Sequence, residues 1–264
     1  MGYPVDIVLL VVLGLVIGSF LNVCIYRLPR GESIVAPRSH CPSCKVFLRW
    51  FDNVPLLGYM ILRGHCRECK SVISPVYPLV ELSTAILFVV QYGVFENSPV
   101  LVLSRLFFVS LMVVLFVTDL QHRILPNMVT IPGVMVGWCC SWFVAPGWLD
   151  SSIGIVVGST FLIVLSETYY RIVGREGLGM GDVKTLALIG AFLGWELMLS
   201  TMLMASILGV LVWSMILVSG RGGTRYLLPL GSFLAISAIV MLAAGPLILP
   251  WWYMTILSWV PFLF

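Results

Sequence analysis

Two aspartates, Asp119 and Asp182, and two Cys-x-x-C pairs, Cys41/Cys44 and Cys66/Cys69, are the residues here whose types and settings suit chemistry. Asp119 closes the apolar run Leu111-Met-Val-Val-Leu-Phe-Val-Thr118, and Leu125-Pro126-Asn127 opens the next one. Asp182 ends the stretch Gly177-Leu-Gly179-Met-Gly181 and precedes Val183-Lys184. Ionisable groups at the edge of apolar segments are expensive to keep there and point to function by default. Two carboxylates at one depth suit aspartic-protease chemistry. Like charges in low dielectric do not both ionise, so the pair holds one shared proton. One carboxylate then takes a proton from a water while the other polarises the scissile carbonyl.

Gly179 and Gly181 serve that chemistry by letting backbone approach a substrate closely. Irregular backbone at membrane depth persists only where it lines protein or water, and hydrolysis needs a water path. Lys184 either pairs with a carboxylate or substrate group, or snorkels to the interface. A blander alternative stays open for each acid: Asp182 as a helix N-cap, Asp119 as a cap or a partner of Arg123.

The cysteine pairs are separated by 21 residues. Two such hooks supply four thiolates in the tetrahedral geometry of a structural zinc ribbon; a pair of redox motifs is the alternative. A cytoplasmic setting disfavours cystine, and the surrounding basic residues favour thiolate. Four sulfurs leave no open coordination position, so such a Zn2+ site folds the loop rather than activating water. Cys24, Cys139 and Cys140 fall in apolar segments and read as small buried side chains.

The elements that carry these residues belong in lipid. The 264-residue chain is 60% hydrophobic and 10% charged, against about 25% charged in ordinary soluble domains. Apolar runs predict an all-α polytopic membrane protein with about eight spans, near 5–26, 76–95, 100–118, 128–146, 151–170, 183–195, 198–219 and 228–244. The segment 246–264 is a further span, a re-entrant piece or an interfacial belt. The first span lacks a preceding basic region and is expected to be retained.

With the N-terminus outside, the loops 27–75, 119–127, 171–182 and 220–227 share one side. They carry Arg27, Arg30, Arg38, Lys45, Arg49, Arg63, Arg67, Lys70, Arg123, Arg171, Arg175, Arg221 and Arg225. Arg105 alone falls toward the other side, whose loops hold Asp6, Glu96, Asp150 and Glu196. The positive-inside rule makes the basic side cytoplasmic. Domains follow as 1–26, a first transmembrane helix; 27–75, a cytoplasmic zinc-binding loop with four cysteine ligands; and 76–264, a transmembrane peptidase core. No internal repeat or low-complexity tract is evident. Trp138, Trp142, Trp148, Trp251, Trp252 and Trp259 lie near the expected outer ends, as in an aromatic belt.

Ordered motifs along nearly the whole chain resemble the bacterial type IV prepilin peptidases. They are Gly18-Ser-Phe-Leu-Asn-Val23, Arg27-Leu-Pro-Arg30, the paired knuckles, Tyr77-Pro-Leu-Val-Glu81, Thr118-Asp-Leu-Gln-His-Arg-Ile-Leu-Pro-Asn127 and Gly177-Leu-Gly-Met-Gly-Asp-Val-Lys184. Leu230-Gly-Ser-Phe-Leu-Ala235 is similar to a later family segment. The resemblance implies that Asp119 and Asp182 are the catalytic pair of a Gly-x-Gly-Asp intramembrane protease in the inner membrane. It implies prepilin and pseudopilin substrates with short basic leaders, cut at the cytoplasmic face, as in type IV pilus and type II secretion systems. It also implies N-methylation of the new N-terminal residue with S-adenosylmethionine, an activity linked to the zinc loop. Glu81 is a candidate for the cofactor site, or a buried acid bonded to a neighbouring helix; Glu167 is equally ambiguous. Where the family commonly carries Glu-Leu-Leu-Thr-Gly, this chain has Glu81-Leu-Ser-Thr-Ala85.

Two other functions compete. An ion or proton transporter would use the aspartates as relays, with acids near the midplane and internal symmetry. A zinc-stabilised assembly factor would use its basic loop to bind anionic lipid or pilus and secretion machinery. Nothing in the chain calls for nucleic acid. A basic leader needs acidic partners, and Glu32, Asp52, Glu68 and Glu176 are the candidates.

Overall fold

The computed structural model describes residues 4–95, 98–174, 179–219 and 229–259. Glu96, Arg175, Glu176, Gly177, Arg221 and Arg225 lie outside the described residues. The chain forms two compact units, Met1–Met128 and Val129–Phe264. Among the described residues there is no strand longer than an isolated bridge.

The first unit holds α1 (Pro4–Arg27), the short α2 (Leu57–Ile61), α3 (Val76–Phe95) and α4 (Pro99–His122). Its seam is written in the sequence of α1 at every fourth residue. Gly14 lies on Ala85 and Gly18 on Glu81, so close that a Cβ on either glycine would come within 2.5 Å and 2.7 Å of the facing Cα. Asn22 donates to the Tyr77 carbonyl at 3.0 Å, and Tyr92 donates to Asp6 at 3.2 Å near the other end. Those pairings fix α1 and α3 as antiparallel neighbours in one register. Small residues that admit close backbone approach are what drives such packing where lipid supplies no hydrophobic force. Leu10, Phe88, Val102 and Leu106 close a small apolar cluster between α1, α3 and α4.

α4 starts with Pro99 after Ser98, where the missing N–H costs nothing. It ends at Arg123, whose left-handed backbone (φ 55°) aims its N–H at the Asp119 carbonyl, 2.8 Å away.

α5 (Asn127–Cys140) opens at the junction, and α6 (Trp148–Val173), α7 (Met180–Val218) and α8 (Leu230–Trp259) complete the second unit. α6 and α7 are antiparallel. Gly154 and Gly190 meet backbone to backbone, and the Ser151 hydroxyl donates to the Ala191 carbonyl at 2.9 Å. Gly194 interrupts α7 with φ 78° and ψ 175°, a conformation open to glycine. A Cβ on Gly158 would lie 3.3 Å from both Leu186 and Met198. In an unbroken helix those two residues would be about 18 Å apart, so the chain reverses at Gly194. The two arms agree with the expected spans at 183–195 and 198–219, the break falling slightly earlier.

Among the described residues, five helices, α1, α3, α4, α6 and α7, are long and apolar enough to cross a bilayer, and α5 and Leu230–Gly245 are shorter apolar helices. With α7 folded as two arms, this is consistent with eight spans and makes the chain an all-α polytopic membrane protein. Two boundaries differ from expectation. α5 ends at Cys140, not near 146; residues 141–146 coil into turns, the last of them Pro146, which disfavours helical backbone at the residue before it. There Trp142 stacks on Trp148, ring centres 5.5 Å apart. Helix α8 continues to Trp259, so 246–259 extends that helix rather than starting a separate one.

Candidate functional site

The loop between α1 and α3 is built around its cysteines. Contrary to the expectation of a chain free of repeats, it contains one: Arg38-Ser-His-Cys-Pro-Ser-Cys-Lys45 and Arg63-Gly-His-Cys-Arg-Glu-Cys-Lys70 share Arg-x-His-Cys-x-x-Cys-Lys. The two copies fold alike. The Cys41 N–H donates to Val46 at 2.9 Å and the Cys66 N–H to Ser71 at 2.8 Å, while Lys45 and Lys70 both adopt positive φ, 61° and 58°. His40 bridges to Phe47 and His65 to Val72. Each knuckle is therefore one turn that points two thiols the same way.

The four Sγ atoms of Cys41, Cys44, Cys66 and Cys69 lie within 4.8 Å of one another, with Cys41 and Cys69 3.8 Å apart. Sulfurs about 2.3 Å from a tetrahedral zinc sit about 3.8 Å apart, whereas a disulfide needs about 2.05 Å. The donor set fits a metal ion, and all four thiols converge on one point. Burial pushes the Cys41 thiol up, but the Cys44 and Ser43 N–H groups and the Ser71 hydroxyl bring it down to about 6. The Val46 N–H lowers Cys44, but burial and the neighbouring sulfurs push it to about 11. The Ser71 hydroxyl, 3.1 Å from the Cys69 sulfur, holds that thiol down. Ligation needs thiolates, and these contacts favour that form at Cys41 and Cys69.

Other polar residues hold the loop. Arg27, 4% exposed, donates to the Ser33 carbonyl at 2.8 Å and the Pro37 carbonyl at 2.7 Å, folding the chain back after α1. Asp52 accepts two bonds from Arg67, one at 3.0 Å from Nε, and that guanidinium holds its carboxyl below the usual range. Asp52 is therefore already neutralised and is not available to a basic leader. Glu68 pairs more loosely with Arg49 at 3.7 Å, Glu32 is exposed, and Glu167 pairs with Arg171 at 2.8 Å.

Glu81 is buried at the junction of loop and helix. Its carboxylate accepts the Leu56 N–H at 2.8 Å, and Leu56 holds φ 57°, ψ −49°, an uncommon backbone for a residue with a side chain. The side chain borders a cavity of about 480 Å³. Of the contacts that set Glu81 in place, only the α1 seam has a sequence signal, the small residues four apart at Gly14 and Gly18.

Asp119 belongs to the first unit, in the last turn of α4, and is 5% exposed. Asp182 belongs to the second and is half-buried in the first turn of α7. Gly179, with φ −78°, is the N-cap, so Asp182 sits three residues inside the helix rather than capping it, and its N–H donates to the Gly179 carbonyl at 3.0 Å. A carboxylate there meets the positive end of the helix dipole. Gly181 and Lys184 share this stretch and are half-buried. A Cβ on Gly179 would lie 3.6 Å from the Asp182 carboxylate, an ordinary contact among the described residues.

Fold and site together define a polytopic helical membrane protein with a paired-knuckle cysteine loop between its first two long helices. Residues 12–95 match the model of the bacterial peptidase A24 N-terminal domain, and residues 106–214 match that of the type IV leader peptidase family. The chain is similar to three relatives named prepilin leader peptidase/N-methyltransferase. That of Myxococcus xanthus is 42% identical over 85% of this chain and 68% of the relative. That of Pseudomonas putida is 33% identical over 90% and 91%, and that of Pseudomonas aeruginosa 30% identical over 92% of each. No solved structure matches the chain significantly. The chain belongs to the type IV leader peptidase family, and the expectation of an enzyme of that family is met.

Proposed function

We propose that this enzyme is an intramembrane aspartic endopeptidase that removes short basic leaders from prepilins and pseudopilins and then N-methylates the residue it exposes. The observation that carries this reading is the likeness to relatives of that name across about nine-tenths of both chains. The orientation places the N-terminus outside the inner membrane and the cysteine loop in the cytoplasm, on the positive-inside pattern.

Asp119 and Asp182 act as the catalytic pair. One carboxylate takes the proton of a water as its oxygen attacks the scissile carbonyl. The other, protonated, donates to the carbonyl oxygen, and the roles exchange as the amine leaves. Gly179 and Gly181 leave room for substrate backbone beside Asp182. Lys184 lies two residues further on, within reach of a substrate carboxylate or carbonyl. The burial of Asp119 at the end of an apolar helix supports this reading, because an ionisable group is expensive to keep there unless it is used.

Cys41, Cys44, Cys66 and Cys69 hold Zn2+, which fixes the two knuckles and takes no part in hydrolysis. The second activity uses S-adenosylmethionine, which supplies a methyl group to the new α-amine. The amine lone pair forms the C–N bond, the C–S pair stays on sulfur, and the nitrogen loses one proton.

The test is cleavage of a prepilin by purified wild type, Asp119→Asn and Asp182→Asn, with mass spectrometry reporting leader loss and added methyl together. Each substitution is expected to lower cleavage by roughly 10²–10⁴ or more. A variant that cuts at the wild-type rate removes that aspartate from the mechanism.

A further inference from the structure

Serine or threonine inside an apolar helix commonly donates its hydroxyl to the carbonyl one turn back. This chain does so at Thr84, Ser110, Thr118, Ser200 and Thr201, with bonds of 2.7–3.0 Å. Two hydroxyls depart from the habit. Thr185 in α7 and Ser237 in α8 are both 0% exposed, and among the described residues neither has a hydrogen-bond partner. Their helix neighbours Leu186, Leu188, Leu234 and Ala238 are as deeply buried and apolar. A hydroxyl left unbonded in such surroundings is costly and calls for an explanation.

Both residues belong to the second unit and stand at the level of Asp182. Asp182 and Thr185 are three residues apart on one face of the first arm of α7, about 18 and 14 Å along the axis from the break at Gly194. Side chains lean toward the N-terminus of their helix, so the Thr185 hydroxyl leans toward the turn that carries Asp182. Ser237 is placed by the second arm. Leu197 packs on Gly245 and Gly209 on Phe233, an antiparallel register that sets Ser237 against Ala205, itself 0% exposed. Ala205 lies about 17 Å beyond Gly194 on the returning arm. Two hydroxyls and one carboxylate therefore share a layer about 5 Å thick.

We infer that Thr185 and Ser237 hold water inside the second unit at the level of Asp182, and that this store supplies the water that hydrolysis consumes. The inference rests on the aspartic-peptidase half of the proposed function. Each peptide bond cut uses one water, and the lipid around the helices brings none. A held water needs two to four polar partners. Each hydroxyl offers one donor and two acceptor sites, and the carbonyls of the turn before it keep a second lone pair, so those partners are at hand. The two side chains touch the water and not the substrate, which makes them positioning residues. Valine and alanine in their places would present the same shapes and leave water nothing to bond.

The test uses the full-length protein in detergent with a prepilin as substrate. The double variant Thr185→Val, Ser237→Ala is expected to lower kcat for cleavage about tenfold with KM unchanged, as loss of a positioned reactant requires. Thr185→Ser should keep the wild-type rate. Methyl transfer to an already cut pilin consumes no water and should be unchanged. The unfolding midpoint should not fall, because no internal hydrogen bond is removed. X-ray radiolysis in solution, which labels side chains beside held water, is expected to mark residues 185–189 and 234–238 of wild type and to lose that mark in the double variant. Wild-type kcat in the double variant, beside an inactive Asp182→Asn, overturns the inference and leaves the peptidase reading standing. Asp182→Asn that cuts at the wild-type rate overturns both. A double variant in which midpoint and methyl transfer fall together with kcat assigns the hydroxyls to the fold and overturns the inference, as does a wild type with no label in either segment.

Discussion

Gly18 and Glu81 meet with no side chain between them: a Cβ on the glycine would sit 2.7 Å from the Glu81 Cα and 3.2 Å from the Val80 carbonyl oxygen. That contact sets where the Glu81 carboxylate stands, and through it the Leu56 N–H and the loop behind it. Gly18→Val must push α1 off α3. A loss of about 1–3 kcal/mol is expected from overpacking a close helix seam, read as a lower midpoint in thermal unfolding in detergent. An unchanged midpoint would show that the helices do not meet this closely.

The loop should hold one metal ion per chain. Elemental analysis of the purified protein is expected to find zinc at one equivalent, and Cys66→Ser to reduce it severalfold. Stripping the metal should expose 27–75 to proteolytic nicking while the transmembrane helices stay intact, since four thiolates at one point are what closes the knuckles. Protection that persists without metal would assign the loop's order to Arg27 and the Asp52–Arg67 pair.

The Asp52–Arg67 pair gives the loop a pH dependence of known sign. The folded carboxyl titrates below its unfolded value. Its stabilisation is therefore present above the unfolded pKa of about 3.9 and is lost as pH falls through the lower folded value. Asp52→Asn should make the loop easier to nick at neutral pH, and the gap from wild type should close in acid. A gap that widens on acidification would mean that the ion pair is not what Asp52 contributes.

Gly179→Ala tests why a glycine precedes the aspartate. Its backbone, φ −78° and ψ 145°, suits alanine, and the added methyl meets nothing closer than 3.6 Å among the described residues. Because Gly179 is the N-cap of α7, where glycine is favoured over alanine, stability should fall by about 0.5–1 kcal/mol. Prepilin cleavage, by contrast, should fall at least tenfold if substrate backbone needs that space. Wild-type cleavage in this variant would remove Gly179 from the site.

Much of this was legible in the sequence because the signals are local. Hydropathy over some twenty residues marks a span wherever it sits, so Pro4–Arg27, Val76–Phe95 and Pro99–His122 fall close to their expected bounds. The loop repeat is equally local, since Arg-x-His-Cys-x-x-Cys-Lys recurs within 33 residues of one loop, 38–70. The end of α5 at Cys140 is not legible in the same way, because the apolar run continues past it to Val144.

The amino-acid sequence by itself determined that the chain lives in lipid, where its long helices lie, and which four thiols could hold a metal ion. Composition, run length and Cys-x-x-C spacing are properties of neighbours in the chain. Tertiary structure decided the rest: that Gly14 faces Ala85 and Gly18 faces Glu81, that Asn22 reaches Tyr77 across 55 residues, that α7 reverses at Gly194, and that a cavity opens between knuckles and helix ends. Those outcomes depend on which small residue meets which backbone when two helices pack. No periodicity along either helix records the identity of its partner.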